Sequence, residues 1–90
     1  MSHLSDNQAL VKRVRRIAGQ VAAIERALAG GEDCATTLHL VAAARGAMNG
    51  LMDQIVEAHL QEHVVRPGLS DEDRAKGAAE LTAAMHRYAK

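Results

Sequence analysis

Residues 33–64 read DCATTLHLVAAARGAMNGLMDQIVEAHLQEHV, and the reading of this stretch as one helix decides the fold. Asp33 suits an N-cap, and Leu38, Val41, Met48, Met52, Ile55 and Val56 recur along one helical face. A helix over 33–64 is long for a globular protein and suits a bundle spine or a coiled coil. At 100° per residue, Cys34, His59 and His63 point within roughly 20° of one direction. At 1.5 Å rise, however, Cys34 lies about 38 Å from His59 along the axis. A straight helix cannot bring its own thiol to its own imidazoles. An antiparallel copy from a second chain can, because it sets Cys34 of one subunit beside His59 and His63 of the other, which predicts two symmetry-related sites per dimer.

Ninety residues make one domain, 1–90, marginal as a monomer, so oligomerisation is the expected supplement. Phe and Trp are absent and Tyr88 is the only aromatic residue. The apolar content is Ala, Leu, Val, Ile and Met, which favours an all-α fold. Eleven basic and eleven acidic residues cancel, which argues against a generic nucleic-acid or membrane binder. The distribution is uneven: residues 1–30 hold Lys12, Arg13, Arg15, Arg16 and Arg26 against Asp6 and Glu25, a net +3 before histidines. No stretch reaches the roughly 18 apolar residues of a membrane span and no signal-peptide core is seen, so a cytoplasmic protein is expected. A single cysteine forms no internal disulfide, leaving Cys34 as a reduced thiol.

Around the central helix, two others are expected. Ser5 with Gln8 fits a capping box opening a helix over about 6–29. Leu10, Val14, Ile17, Val21, Ile24 and Leu28 form its apolar stripe, and Lys12, Arg13, Arg15 and Arg16 lie opposite, so that core and basic faces separate. Gly30-Gly31 ends it. Gly46 and Gly50, away from the Cys34 direction, allow close approach of another helix, the first by this reading. Pro67-Gly68 breaks the pattern. Ser70, followed by Asp71, Glu72 and Asp73, caps a third helix over about 71–89, whose stripe is Ala75, Ala78, Ala79, Thr82, Met85 and Tyr88.

Two histidines at i, i+4 share a helix face, as chelation of one ion requires. Taken alone, such a pair is more often a solvated helix end, and a lone cysteine is more often a small buried hydrophobe. Their coincidence on one face strengthens both. Glu62 offers an oxygen ligand or an outer partner; His3 lies in an N-terminal tail. His39 and His86 read as structural or solvated. Arg45 and Asn49 interrupt the apolar ligand face and suit a role in fixing helix register. The basic quartet at 12–16 reads either as a solvated face or as a phosphate-contacting surface that a symmetric oligomer repeats. No helix-turn-helix, nucleophile elbow, phosphate loop or H-E-x-x-H is present, so an enzyme is not expected.

At Val14-Arg15-Arg16-Ile17-Ala18-Gly19-Gln20, Cys34, Ala43-Ala44-Arg45-Gly46-Ala47-Met48-Asn49-Gly50-Leu51-Met52 and His59-Leu60-Gln61-Glu62-His63, the chain resembles the CsoR/RcnR family of bacterial transcriptional repressors over nearly its whole length. The resemblance implies a three-helix chain forming an antiparallel dimer and a dimer-of-dimers tetramer, operator DNA as partner, and release on sensing a metal ion or a reactive small molecule at sites between subunits. Cu(I)-sensing members carry Cys at the third main position, where this chain has His63, so Cu(I) is disfavoured. The nickel and cobalt sensors use an N-terminal His, then Cys, His and His, matched by His3, Cys34, His59 and His63. The N-terminal amine or Glu62 would complete a sphere for Ni(II) or Co(II), with Zn(II) as a competing ion. The formaldehyde sensors share much of the remaining sequence but carry Pro after the initiator Met and an acidic residue in place of His63. Here Ser2 would be the N-terminus once Met1 is removed, and its primary amine would condense with a Cys34 hydroxymethyl adduct. The expected function is a repressor that binds DNA through Lys12, Arg13, Arg15 and Arg16, helped by Lys90, and leaves a metal-efflux promoter on binding Ni(II) or Co(II). A formaldehyde-responsive repressor and a metal-binding helical bundle without DNA are the alternatives.

Overall fold

A computed structural model of the chain describes residues 7–88; His3, Ser5 and Lys90 lie outside these. Three helices follow one another with no strand among the described residues: α1 (Gln8–Ala29), α2 (Cys34–Leu60), continued by a π-helical turn (Gln61–Val65), and α3 (Asp71–Tyr88). The chain divides into two compact units, one reaching Met52 and the other starting at Asp53.

In the first unit α1 begins later than the Ser5 cap predicts. Asn7 is the N-cap, its side-chain oxygen accepting from the Leu10 N–H at 3.2 Å. Asn ranks with Ser as a cap, and here it takes the donor itself, placing Gln8 at the first helical position rather than the third. The Gly30-Gly31 ending is as expected. Gly30 N–H donates to Arg26 O at 2.8 Å and Glu32 N–H to Ala27 O at 2.9 Å, with Gly31 at φ +69° between them. This return bond from beyond a left-handed residue is the usual way to satisfy the last carbonyls of a helix. Gly31→Ala should therefore cost about 1–2 kcal/mol, the penalty for a side chain in the left-handed region, read as a lower denaturation midpoint with an unchanged m-value.

Asp33 then caps α2: its carboxylate accepts from Thr36 N–H at 2.9 Å. Hydrogen bonds from the Thr36 side chain and then its backbone hold the Asp33 carboxyl below its usual pKa. Whatever the charged cap contributes is complete above the unfolded carboxylate range and is lost as pH falls through the lowered value.

Among the described residues, the buried apolar ones are Leu10, Ile17 and Ala27, all on α1. Val14, Val21 and Leu28, from the same expected stripe, are 49%, 54% and 68% exposed. The buried face is thus turned toward Arg13 and Gln20, both half-buried. The expected separation of core and basic faces fails at Arg13, whose guanidinium lies against Gly50: a Cβ there would meet Nη1 at 2.6 Å. Gly50 therefore does admit α1, whereas a Cβ at Gly46 would meet nothing within 4 Å. On α2, Leu38, Val41, Met48 and Met52 are exposed, and they share the Cys34 face.

The second unit is the end of α2, the π-helical turn and α3. The continuous helix expected to residue 64 changes pitch after Leu60. Pro67 has no N–H to give the His63 carbonyl, and Arg66 is already extended (φ −51°, ψ 131°), as a residue before proline prefers. Ser70 caps α3 as expected, its Oγ accepting from Asp73 N–H at 3.0 Å. The α3 stripe is corrected. Arg74, Ala78, Leu81 and Ala84 are half-buried and Gly77 is buried, while Ala75, Ala79, Thr82, Met85 and Tyr88 are exposed. Large apolar residues misled the periodicity, because α3 packs through its backbone at a glycine.

Candidate functional site

His59 and His63 come together at the end of α2, with ring centroids 4.8 Å apart and planes tilted by 45°. Spacing of i, i+4 places both rings on one side, and the second ring stands on the π-helical turn. His59 is half-buried and His63 exposed. His59 Nε2 lies 2.9 Å from the carbonyl oxygen of Gly77. A carbonyl only accepts, so Nε2 carries the hydrogen, and the lone pair of the neutral ring is on Nδ1. Metal-ligating histidines are commonly oriented this way, one ring nitrogen donating to a fixed acceptor and the other left for the ion.

Around this pair, Glu62 accepts from Arg66 at 3.0 Å in a partly exposed i, i+4 ion pair, so its carboxylate already has a cationic partner. Arg74 donates to the Val64 carbonyl. Cys34 is an exposed free thiol in the first turn of α2. Among the described residues, no group of three or more His, Cys, Asp and Glu side chains gathers to hold an ion. The histidine pair is therefore a fitting but partial donor set, nitrogen-rich and suited to a borderline divalent ion.

Lys12, Arg15 and Arg16 are exposed on α1, while Arg13 is half-buried. Arg45 and Asn49 are exposed beside Met48 and Met52. His39 and His86 are exposed, in line with their reading as solvated. Gly77 and Arg74 were missed by sequence reasoning. The available signal was a glycine in the interior of an otherwise alanine-rich helix, a costly choice unless a backbone must approach closely.

A short all-α chain with a basic helix face and a paired-histidine site fits a ligand-responsive DNA-binding protein. Residues 6–87 match the profile of the metal-sensitive transcriptional repressors, and the chain belongs to that family, the CsoR/RcnR repressors. These are operator-binding regulators, not enzymes. Among its relatives, the transcriptional repressor RcnR of Escherichia coli (strain K12) is 45% identical over 69 residues, 76% of this chain and 77% of that protein. An uncharacterized protein from the bioA 5′ region of Serratia marcescens is 42% identical over 91 residues, the full length of both. A solved structure of the formaldehyde-responsive regulator FrmR from Salmonella enterica serovar Typhimurium, in a glutamate-to-histidine variant, matches with a TM-score of 0.88 at 43% identity. It covers 98% of this chain and 99% of that one. No described helix is long and apolar enough to cross a membrane.

Proposed function

We propose that this repressor leaves its operator on binding Ni(II) or Co(II), and that it controls a metal-efflux gene. The observation that carries the reading is the His59–His63 pair, with Nε2 of His59 bonded to the Gly77 carbonyl, which puts the ring's lone pair on Nδ1. Cys34 of a second copy, running antiparallel in a dimer that pairs again into a tetramer, would add a thiolate. His3 would add a further nitrogen. Arg66 already engages Oε1 of Glu62, which favours Glu62 as an outer partner over a ligand. The exposed apolar face of α2 that carries Cys34 supports a second copy there, with Arg45 and Asn49 setting its register. A bound divalent ion would supply the attraction that draws these donors together. Lys12, Arg15 and Arg16, with Arg13 and Lys90, would contact phosphates in the metal-free form. Drawing His3 toward α2 would then favour an arrangement in which those cations no longer match the duplex. By linkage, metal and operator weaken each other's binding by the same factor.

A second reading is favoured by the likeness to the formaldehyde-responsive regulator. The exposed Cys34 thiol would add to formaldehyde to give a hydroxymethyl thioether, and the N-terminal amine would condense with it, forming a methylene bridge and releasing water. His63 is the residue that separates the readings, since the formaldehyde-sensing pattern has an acid there.

Fluorescence anisotropy of a labelled operator, titrated in parallel with Ni(II), Co(II), Zn(II), Cu(I) and formaldehyde, tests both. Release by Ni(II) or Co(II) at lower concentration than by the others is expected. Release by formaldehyde alone would replace the first reading with the second.

A further inference from the structure

The segment carrying the two histidines is held by α3 at two points one turn apart. Arg74 donates to the Val64 carbonyl, and the Gly77 carbonyl accepts from His59 Nε2. Gly77 is the buried residue of α3. A Cβ at position 77 would stand 2.8 Å from both the carbonyl carbon and the Cβ of His63, and nearer still to the His63 carbonyl oxygen. These atoms belong to or adjoin the backbone and cannot swing aside as the tip of a long side chain can. A glycine inside a helix lowers helix propensity, so its presence here has a steric reason. Without a side chain, α3 comes close enough for its carbonyl to reach the imidazole.

We propose that Gly77 is a positioning residue for the effector histidines. Its carbonyl holds His59 as the Nε2–H tautomer with Nδ1 presented for coordination, and its missing side chain is what permits the approach. This rests on the reading of His59 and His63 as metal ligands. It places α3 in direct mechanical contact with the sensing site, since any movement of His59 on binding an ion must also move or break its bond to Gly77.

The test pairs the full-length wild type with Gly77→Ala. In the metal-free wild type, long-range ¹H–¹⁵N correlations of the His59 ring should show the Nε2–H tautomer. Folded Gly77→Ala should show both tautomers. Its Co(II) affinity should fall by about 10–100-fold, the usual effect of losing an outer partner of a ligating histidine, with the cobalt–thiolate absorption retained because Cys34 is untouched. An Nδ1–H or mixed His59 ring in the wild type would overturn the proposal. So would a folded Gly77→Ala that binds Co(II) within about twofold of wild type. If Gly77→Ala does not fold, the wild-type tautomer decides alone. Co(II) binding that survives His59→Ala would overturn the metal-ligand reading and the role of Gly77 with it, a failure told apart by a wild-type spectrum that still shows Nε2–H.

Discussion

His63→Ala should weaken Co(II) binding by more than the roughly 10–100-fold that loss of an outer partner costs, because it removes a donor outright. The ring is exposed and 4.8 Å from His59, so its loss should leave the helical circular dichroism and the denaturation midpoint close to wild type. Cys34→Ala should produce a comparable loss of affinity and also abolish the cobalt–thiolate absorption, which His63→Ala retains. Mixing the two variants is the sharper measurement. If the site joins Cys34 of one subunit to His59 and His63 of another, a mixed dimer has one intact site and one lacking both residues. After subunit exchange, roughly a quarter of the sites should recover wild-type affinity and thiolate absorption. No recovery would refute the intersubunit site, and unchanged affinity in both single variants would refute the assignment altogether.

The second large effect is expected at the basic face. Arg15→Ala with Arg16→Ala removes two exposed cations from every subunit. Each lost phosphate contact should flatten the slope of log K against log salt by about 0.9. A dimer therefore loses four contacts' worth of slope and, at moderate salt, well over an order of magnitude in affinity, similarly for specific and random duplexes. Anisotropy titrations across a salt series provide the readout. Arg13→Ala should behave differently, since its guanidinium lies against Gly50, and its effect should include a change in stability. A salt slope unchanged in the double variant would mean that this face only solvates the helix.

Much of this was legible in the chain because it is local. The caps at Asp33 and Ser70 and the stop at Gly30-Gly31 depend on hydrogen bonds within a few residues, and residue type predicts such bonds well. The start of α1 was misjudged for the same reason, as Asn7 offers that helix an acceptor as good as a serine. The family too was readable, from motifs spread over nearly the whole chain. Which flank of an apolar stripe meets its partner was not. On α1 the stripe is split: Leu10 and Ile17 are buried, while Val14, Val21 and Leu28 stay open. A heptad pattern records every apolar contact a helix makes, and it does not say which are made within one chain.

The sequence by itself determined three helices, the caps at Asp33 and Ser70, the stop at Gly30-Gly31, the cations Lys12, Arg15 and Arg16 exposed on α1, and a histidine pair at i, i+4. These follow from period, capping and composition, which act over a few residues. Only the tertiary structure decided that α2 finishes in a π-helical turn, that Arg13 turns inward over Gly50, and that α3 reaches the histidines through a glycine. Those outcomes depend on how closely two backbones can approach. That distance is set by the absence of a Cβ at positions 50 and 77, and it gains meaning only when the facing residue is known.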